Sequence, residues 1–164
     1  MKQQIQKSAA IILLILAIIS SSCNGDGQEP SGNSDGTYFL KMSLDGQQIE
    51  MESTLAAIID GNMSIQGNKL DSSSLLNMSI ANHTTTGTYL FGAGTGNENM
   101  FSLVVNGMAY EAINTNTLGA MTVSIEQIGA TYIKGTFSGI LQTSNEPIST
   151  IEVTNGSFRA FKGT

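Results

Sequence analysis

Few side chains in this 164-residue chain are suited to covalent chemistry, and they are scattered. Cys23 is the single cysteine and His83 the single histidine. A Ser-His-Asp or Cys-His system pairs a nucleophile with an imidazole, and a zinc site gathers several such ligands, so both are nearly excluded. His83 lies in the polar stretch Asn82-His83-Thr84 and reads as a solvated loop residue. A Ser-Lys arrangement lacks a nucleophile elbow or a Ser-x-x-Lys run. Glycoside hydrolysis needs two carboxyl groups facing each other across a cleft. The acids here fall instead in turns (Asp45, Asp60, Asp71) or at outward strand positions (Glu50, Glu52, Glu126, Glu152). Calcium bound by oxygen-rich loops is the least strained metal reading, with Asp60, Asn62 and Asp71 as candidates, but no Asp-x-Asp-x-Asp-Gly loop is present. The glycine-rich stretch Phe91 to Asn99 lacks the lysine of a phosphate loop and precedes a strand, so it reads as a mobile hairpin loop. Neither an enzyme nor a cofactor or metal site is expected.

The chemistry of Cys23 comes from its position. Lys2 and Lys7 form a short positive segment, Ala9 to Ile19 an apolar run of eleven residues, and Ser20-Ser21-Ser22 lead into Cys23. That is the layout of a secretory signal peptide. Crossing a bilayer takes roughly 20 apolar residues, so a spanning anchor is the weaker reading. An ordinary cut would leave Cys23 as a free thiol with no partner for a disulfide. The arrangement resembles the lipobox of bacterial lipoproteins, in which the cysteine is lipidated and becomes the new N-terminus. It departs from the usual box in having Ser20 where an aliphatic residue is common, and serine-rich boxes of this kind resemble those of Bacteroidetes lipoproteins. The expected organisation is a lipoprotein signal peptide over 1–22, a lipidated Cys23 with a flexible tether over 23–36, and one domain over 37–164. Several acyl chains on one cysteine would make the attachment stable, since a single chain binds only marginally. The membrane is then a partner through Cys23, and the expected location is the outer membrane or cell surface, facing either the periplasm or the outside. Asp26 and Glu29, just after the cysteine, resemble the surface-export signals of some such lipoproteins.

Composition narrows the partners. Without residues 1–22, the chain keeps 142 residues, with 13 acidic against 5 basic, a net charge of −8. Nucleic acid demands a basic footprint, so it is not a partner. All 18 glycines follow the leader, and prolines number only 2, which suits short strands and tight turns rather than disorder.

Periodicity gives the fold class. Asn24 to Gly36 has no apolar residue but Pro30 and reads as the tether. Tyr38, Leu40, Met42 and Leu44 alternate with polar residues, and Asp45-Gly46 turns the chain into a strand with Ile49 and Met51 inward. Leu55 to Ile59 is ambiguous between a buried strand and a helical turn. Asp60-Gly61-Asn62 turns into Met63 and Ile65; Leu76, Met78 and Ile80 form another alternating set, and Tyr89 and Phe91 another. Phe101, Leu103 and Val105 lead through Asn106-Gly107 to Met108, Tyr110 and Ala112. Met121, Val123 and Ile125 follow, then Ile133, Gly135, Phe137, Gly139 and Leu141, whose inward glycines suggest close backbone approach or a bulge. Ile151 and Val153 lead through the Asn155-Gly156 dipeptide to Phe158 and Ala160. Nine to eleven short strands at this spacing predict an all-β antiparallel sandwich, with an up-and-down β-barrel as the alternative. The methionines fall mostly at inward positions and read as core filler. Asn62, Asn77, Asn82 and Asn155 each open an Asn-x-Ser/Thr triplet, read here as accidents of composition.

The opening strand–Asp45-Gly46–strand, the Gly87-Thr88-Tyr89 strand and the C-terminal series through Lys134-Gly135-Thr136-Phe137 and Thr154-Asn155-Gly156-Ser157-Phe158 together resemble a family of small uncharacterised Bacteroidetes lipoproteins, assigned only a domain of unknown function. The resemblance spans most of residues 37–162 and rests on turns and strands, so it carries over no catalytic residue. The expected role is a lipid-anchored, non-enzymatic binding or interaction module of the cell envelope, with a glycan or an envelope protein as partner. Sugar sites commonly use aromatic platforms; tryptophan is absent, and among the tyrosines only Tyr132 points outward in this register. The alternative is a lipocalin-like carrier of a small apolar ligand, with a hydrolytic enzyme a distant third.

Overall fold

The computed structural model describes residues 37–70 and 73–163. Cys23, the leader, the tether and Asp71 lie outside the described residues. Where the sequence alternates, strands form: β1 (Phe39–Leu44), β2 (Gln47–Met51), β3 (Ser53–Ile59), β4 (Asn62–Asn68), β5 (Ser74–Ile80) and β6 (Gly87–Gly92). They are followed by β7 (Met100–Val105), β8 (Met108–Ala112), β9 (Ala120–Ile128), β10 (Tyr132–Thr143) and β11 (Thr150–Lys162). The described residues contain no helix, and the Leu55–Ile59 run is strand.

Three hairpins turn on two residues that both have positive φ: Asp45-Gly46 (45° and 85°), Asp60-Gly61 (50° and 79°) and Asn106-Gly107 (50° and 79°). Asp, Asn and Gly accept that conformation most cheaply, and its twist matches the flanking strands. Asn155-Gly156 has the same chemistry and a different outcome. β11 runs straight through it, with Asn155 at φ 53°. The register against β1 steps from Lys41↔Ser157 to Ser43↔Thr154, so two residues of β11 face one of β1. That is a β-bulge, and it leaves one long strand where the dipeptide could have made two short ones. A side chain on Gly156 would run into the Phe137 ring and carbonyl, so the bulge depends on glycine there.

The ladder is one 11-stranded sheet folded over itself. One layer runs β2-β1-β11-β10-β9-β6 and the other β3-β4-β5-β7-β8. They join where the long central pair overshoots: Phe161 and Lys162 meet Leu55 and Ala56 of β3, while Gln142 and Thr143 meet Glu111 and Tyr110 of β8. The pairing is antiparallel throughout except at the β11–β3 joint. The result is a sandwich laced at two corners.

Between the layers lie Leu40, Met63, Ile65, Leu76, Met78, Leu103, Val123 and their neighbours, nearly all without solvent contact. Four phenylalanine rings cross the interior in sequence: Phe91 to Phe101 at 6.1 Å, Phe101 to Phe137 at 5.5 Å and Phe137 to Phe158 at 6.3 Å between centroids. Such edge and tilted contacts add about 0.5–1.5 kcal/mol per pair beyond burial. Two inward assignments from periodicity do not hold. Tyr38 is 41% exposed, packed edge-on against Phe161 at the rim, and Met108 is 54% exposed beside its turn.

Candidate functional site

Alternation that sends Leu, Val and Phe inward on the six-stranded layer sends hydroxyls outward. The strand registers line these up into rows. One row reads Thr88, Ser124, Thr136, Ser157, Lys41 and Glu50, each directly opposite the next on the neighbouring strand. The adjacent row reads Leu90, Thr122 and Ser138 up to the bulge, then Ser43 and Gln48 beyond it.

Two depressions mark this face. One, of about 570 Å³, is lined by Lys41, Ser43, Gln48, Glu50 and Asn155 among others. The second, of about 280 Å³, is lined by Thr122, Ser124, Thr136, Ser138 and Asn155 with Gly156. They meet at Asn155, which the bulge pushes out of the ladder. Asn155, Thr122, Ser124, Thr136, Ser138 and Ser157 make no side-chain hydrogen bond to another described residue. Their donors and acceptors therefore face solvent or a ligand.

Next to the hydroxyl rows the face turns cationic and aromatic. Arg159 sits directly opposite Lys134 on one side and Phe39 on the other. Its guanidinium carbon lies 3.8 Å from the centroid of the Tyr132 ring, while Lys41 Nζ is 5.4 Å from that of Phe39. Lys134 is paired with Glu126 at 3.3 Å, half exposed on both sides. A register step in β9 between Gln127 and Ile125 brings Glu126 there.

The residues first considered for chemistry are not drawn together. His83 packs 5.2 Å from the Tyr89 ring in its loop. The Asn62 side-chain oxygen accepts from the Asn82 backbone N–H at 3.0 Å, and its amide donates to the Asp60 carbonyl at 3.4 Å, so it braces two turns. Among the described residues no three His, Cys, Asp or Glu side chains are grouped as metal ligands. The glycine-rich stretch is not a hairpin loop. β6 pairs with β9, and β7 with β5 and β8, so it is a crossover between layers. It is also tied down: Asn97 and Asn99 both donate to the Leu90 carbonyl, and Gly96 N–H donates to Asn114.

Tyr132 was legible as an outward residue; Arg159 and Asn155 were not legible as site residues. The alternation Tyr132, Lys134, Thr136, Ser138 along β10 was the available signal, but what lies opposite each residue depends on register. Chemically, the face offers hydroxyl, amide and guanidinium groups in fixed rows, with no nucleophile–base pair among them. Such groups are able to donate to and accept from a polar ligand. No curated protein and no solved structure matches the chain. Its sequence from residue 36 to residue 161 does match the model of one family, and the chain therefore belongs to the family described as Domain of unknown function (DUF6252).

Proposed function

We propose that this protein is a lipid-anchored binding module of the cell envelope, without enzymatic activity, that presents the outer face of its six-stranded layer to a polar partner. The observation that carries the reading is the pair of depressions meeting at Asn155, whose Asn, Ser and Thr side chains make no hydrogen bond to another described residue. Polar groups that stabilise nothing internally, held on paired strands, are preorganised to bind at little ordering cost. The leader sequence ending in Cys23 supports attachment through lipid, and the polar composition of 24–36 suits a linker between lipid and domain. The carrier reading needs an apolar cavity, whereas four phenylalanine rings occupy the middle of the interior in mutual contact.

Two measurements test this. Labelling cells with a palmitate analogue should mark the wild-type chain at Cys23 and leave Cys23→Ser unlabelled and released from membranes; equal labelling of both sinks the anchor. Pull-downs from envelope extracts should retain a glycan or protein that a Ser124→Ala, Thr136→Val double variant loses. Retention unchanged in that variant would move the partner off this face.

A further inference from the structure

The chain has a single arginine and a large excess of acids, yet Arg159 has no carboxylate within ion-pair distance among the described residues. Its Nε is buried without a hydrogen-bond partner. Across the ladder it faces Lys134, another cation. Like charges directly opposite on neighbouring strands are destabilising. Lys41 stands on the next row, so three of the five cations downstream of the leader share one corner of this face. Glu126 pairs with Lys134 and Glu50 stands directly opposite Lys41 on the neighbouring strand, so Arg159 is the cation of the three with no acid beside it. The Tyr132 ring, 3.8 Å from its carbon, holds the guanidinium in place, and a guanidinium so held offers paired N–H groups to a carboxylate.

We propose that Arg159, with Lys134 and Lys41, binds the carboxylate of an acidic sugar chain whose hydroxyls lie along the rows through Thr136 and Asn155. This rests on the binding role proposed above and names its ligand class. The remainder of the chain is strongly acidic, so an anionic ligand is steered to the corner where cations gather. The six strands span about 24 Å at the usual spacing, room for several sugar units, and Asn155 lies two side-chain rows from Arg159, roughly 13 Å. The Tyr132 and Phe39 rings at the same corner back Arg159 and Lys41 and hold those cations in place. A phosphate-bearing lipid surface would satisfy the cations but leave the hydroxyl rows and the depressions without a counterpart.

The test uses the full chain in non-ionic detergent micelles, titrated calorimetrically with oligogalacturonate, oligoalginate and sialyllactose. Controls are methyl-esterified oligogalacturonate, inorganic phosphate and vesicles of phosphatidylglycerol. At least one carboxylated sugar should bind, weaken with salt, and lose tenfold or more in Arg159→Gln. Arg159→Lys should fall between, and Lys134→Gln, which leaves the Tyr132 stack intact, should lose several-fold. Equal binding of acid and ester overturns the carboxylate assignment but leaves a polar binding face. Tighter binding to vesicles than to any sugar, or an Arg159 dependence seen only with phosphate, also overturns it. Binding of none of the sugars overturns it as well, and if envelope pull-downs are then also empty, the binding role falls with it.

Discussion

Two sets of amide side chains in this protein have the same chemistry and opposite employment. Gln142 is buried, and its Oε1 accepts from three consecutive backbone N–H groups: Thr117 at 3.1 Å, Leu118 at 2.7 Å and Gly119 at 3.1 Å. Asn99, also buried, accepts from Ala81 N–H and donates to the Leu90 carbonyl, both at 3.0 Å. Asn155 is exposed and bonded to no described residue. Inside, amides stand in for a missing ladder partner where loops cross between layers, satisfying backbone groups that strands cannot. On the six-stranded layer the strands pair with one another on either side of the register steps, so the outward hydroxyls, and Asn155 at the bulge, are left over. A polar residue is available for recognition where the backbone has already satisfied itself.

The largest expected effect is on the inside of that contrast. Gln142→Leu strands three backbone donors at once. Each unsatisfied buried group costs about 1–3 kcal/mol, and water reaching some of them should leave a net loss of about 3 kcal/mol. Urea unfolding measures it; a loss under about 1 kcal/mol would mean the 113–119 loop hydrates freely and does not depend on the buried amide. Asn99→Ala removes one donor and one acceptor and should cost about 2 kcal/mol by the same measurement. On the outer face, Ser124→Ala with Thr136→Val should shift stability by no more than about 0.5 kcal/mol, because no internal bond is lost and Val suits a strand. A large destabilisation there would show that these hydroxyls serve the fold after all.

Much of this architecture could be read from sequence because it rests on local rules. Asp45-Gly46, Asp60-Gly61 and Asn106-Gly107 require positive φ, which few residues accept, so each turn announces itself. Met121, Val123 and Ile125 alternate because one face is wet, and all three are buried. Register is not local. That Lys134 faces Arg159, or that Asn155-Gly156 is a bulge while Asn106-Gly107 is a turn, follows from which strands flank each segment. β11 is held on both edges, by β10 and by β1, and cannot fold back at its dipeptide. The stretch from Phe91 to Asn99 fails for the same reason: its glycines announce a loop, and only the partners of β6 and β7 disclose a crossover. The candidate site is a property of register almost throughout, which is why the residues on it were readable and their assembly was not.

The finest test of the contrast is at Asn155 itself, where two roles are superimposed. Its φ of 53° is a left-handed conformation that asparagine tolerates and β-branched residues resist. Asn155→Val should therefore cost about 1–2 kcal/mol, the usual strain for such a position. Asn155→Gly removes that strain but adds the flexibility of glycine to the unfolded chain, at about 0.5–1 kcal/mol, so stability should change by no more than about 0.5 kcal/mol. The glycine variant thus keeps the bulge and deletes only the amide that both depressions share. If the partner recovered from envelope extracts is held by that amide, Asn155→Gly loses it at unchanged stability. If the partner is retained, Asn155 is there to shape the strand, and the recognition contacts lie on the hydroxyl rows on either side of it.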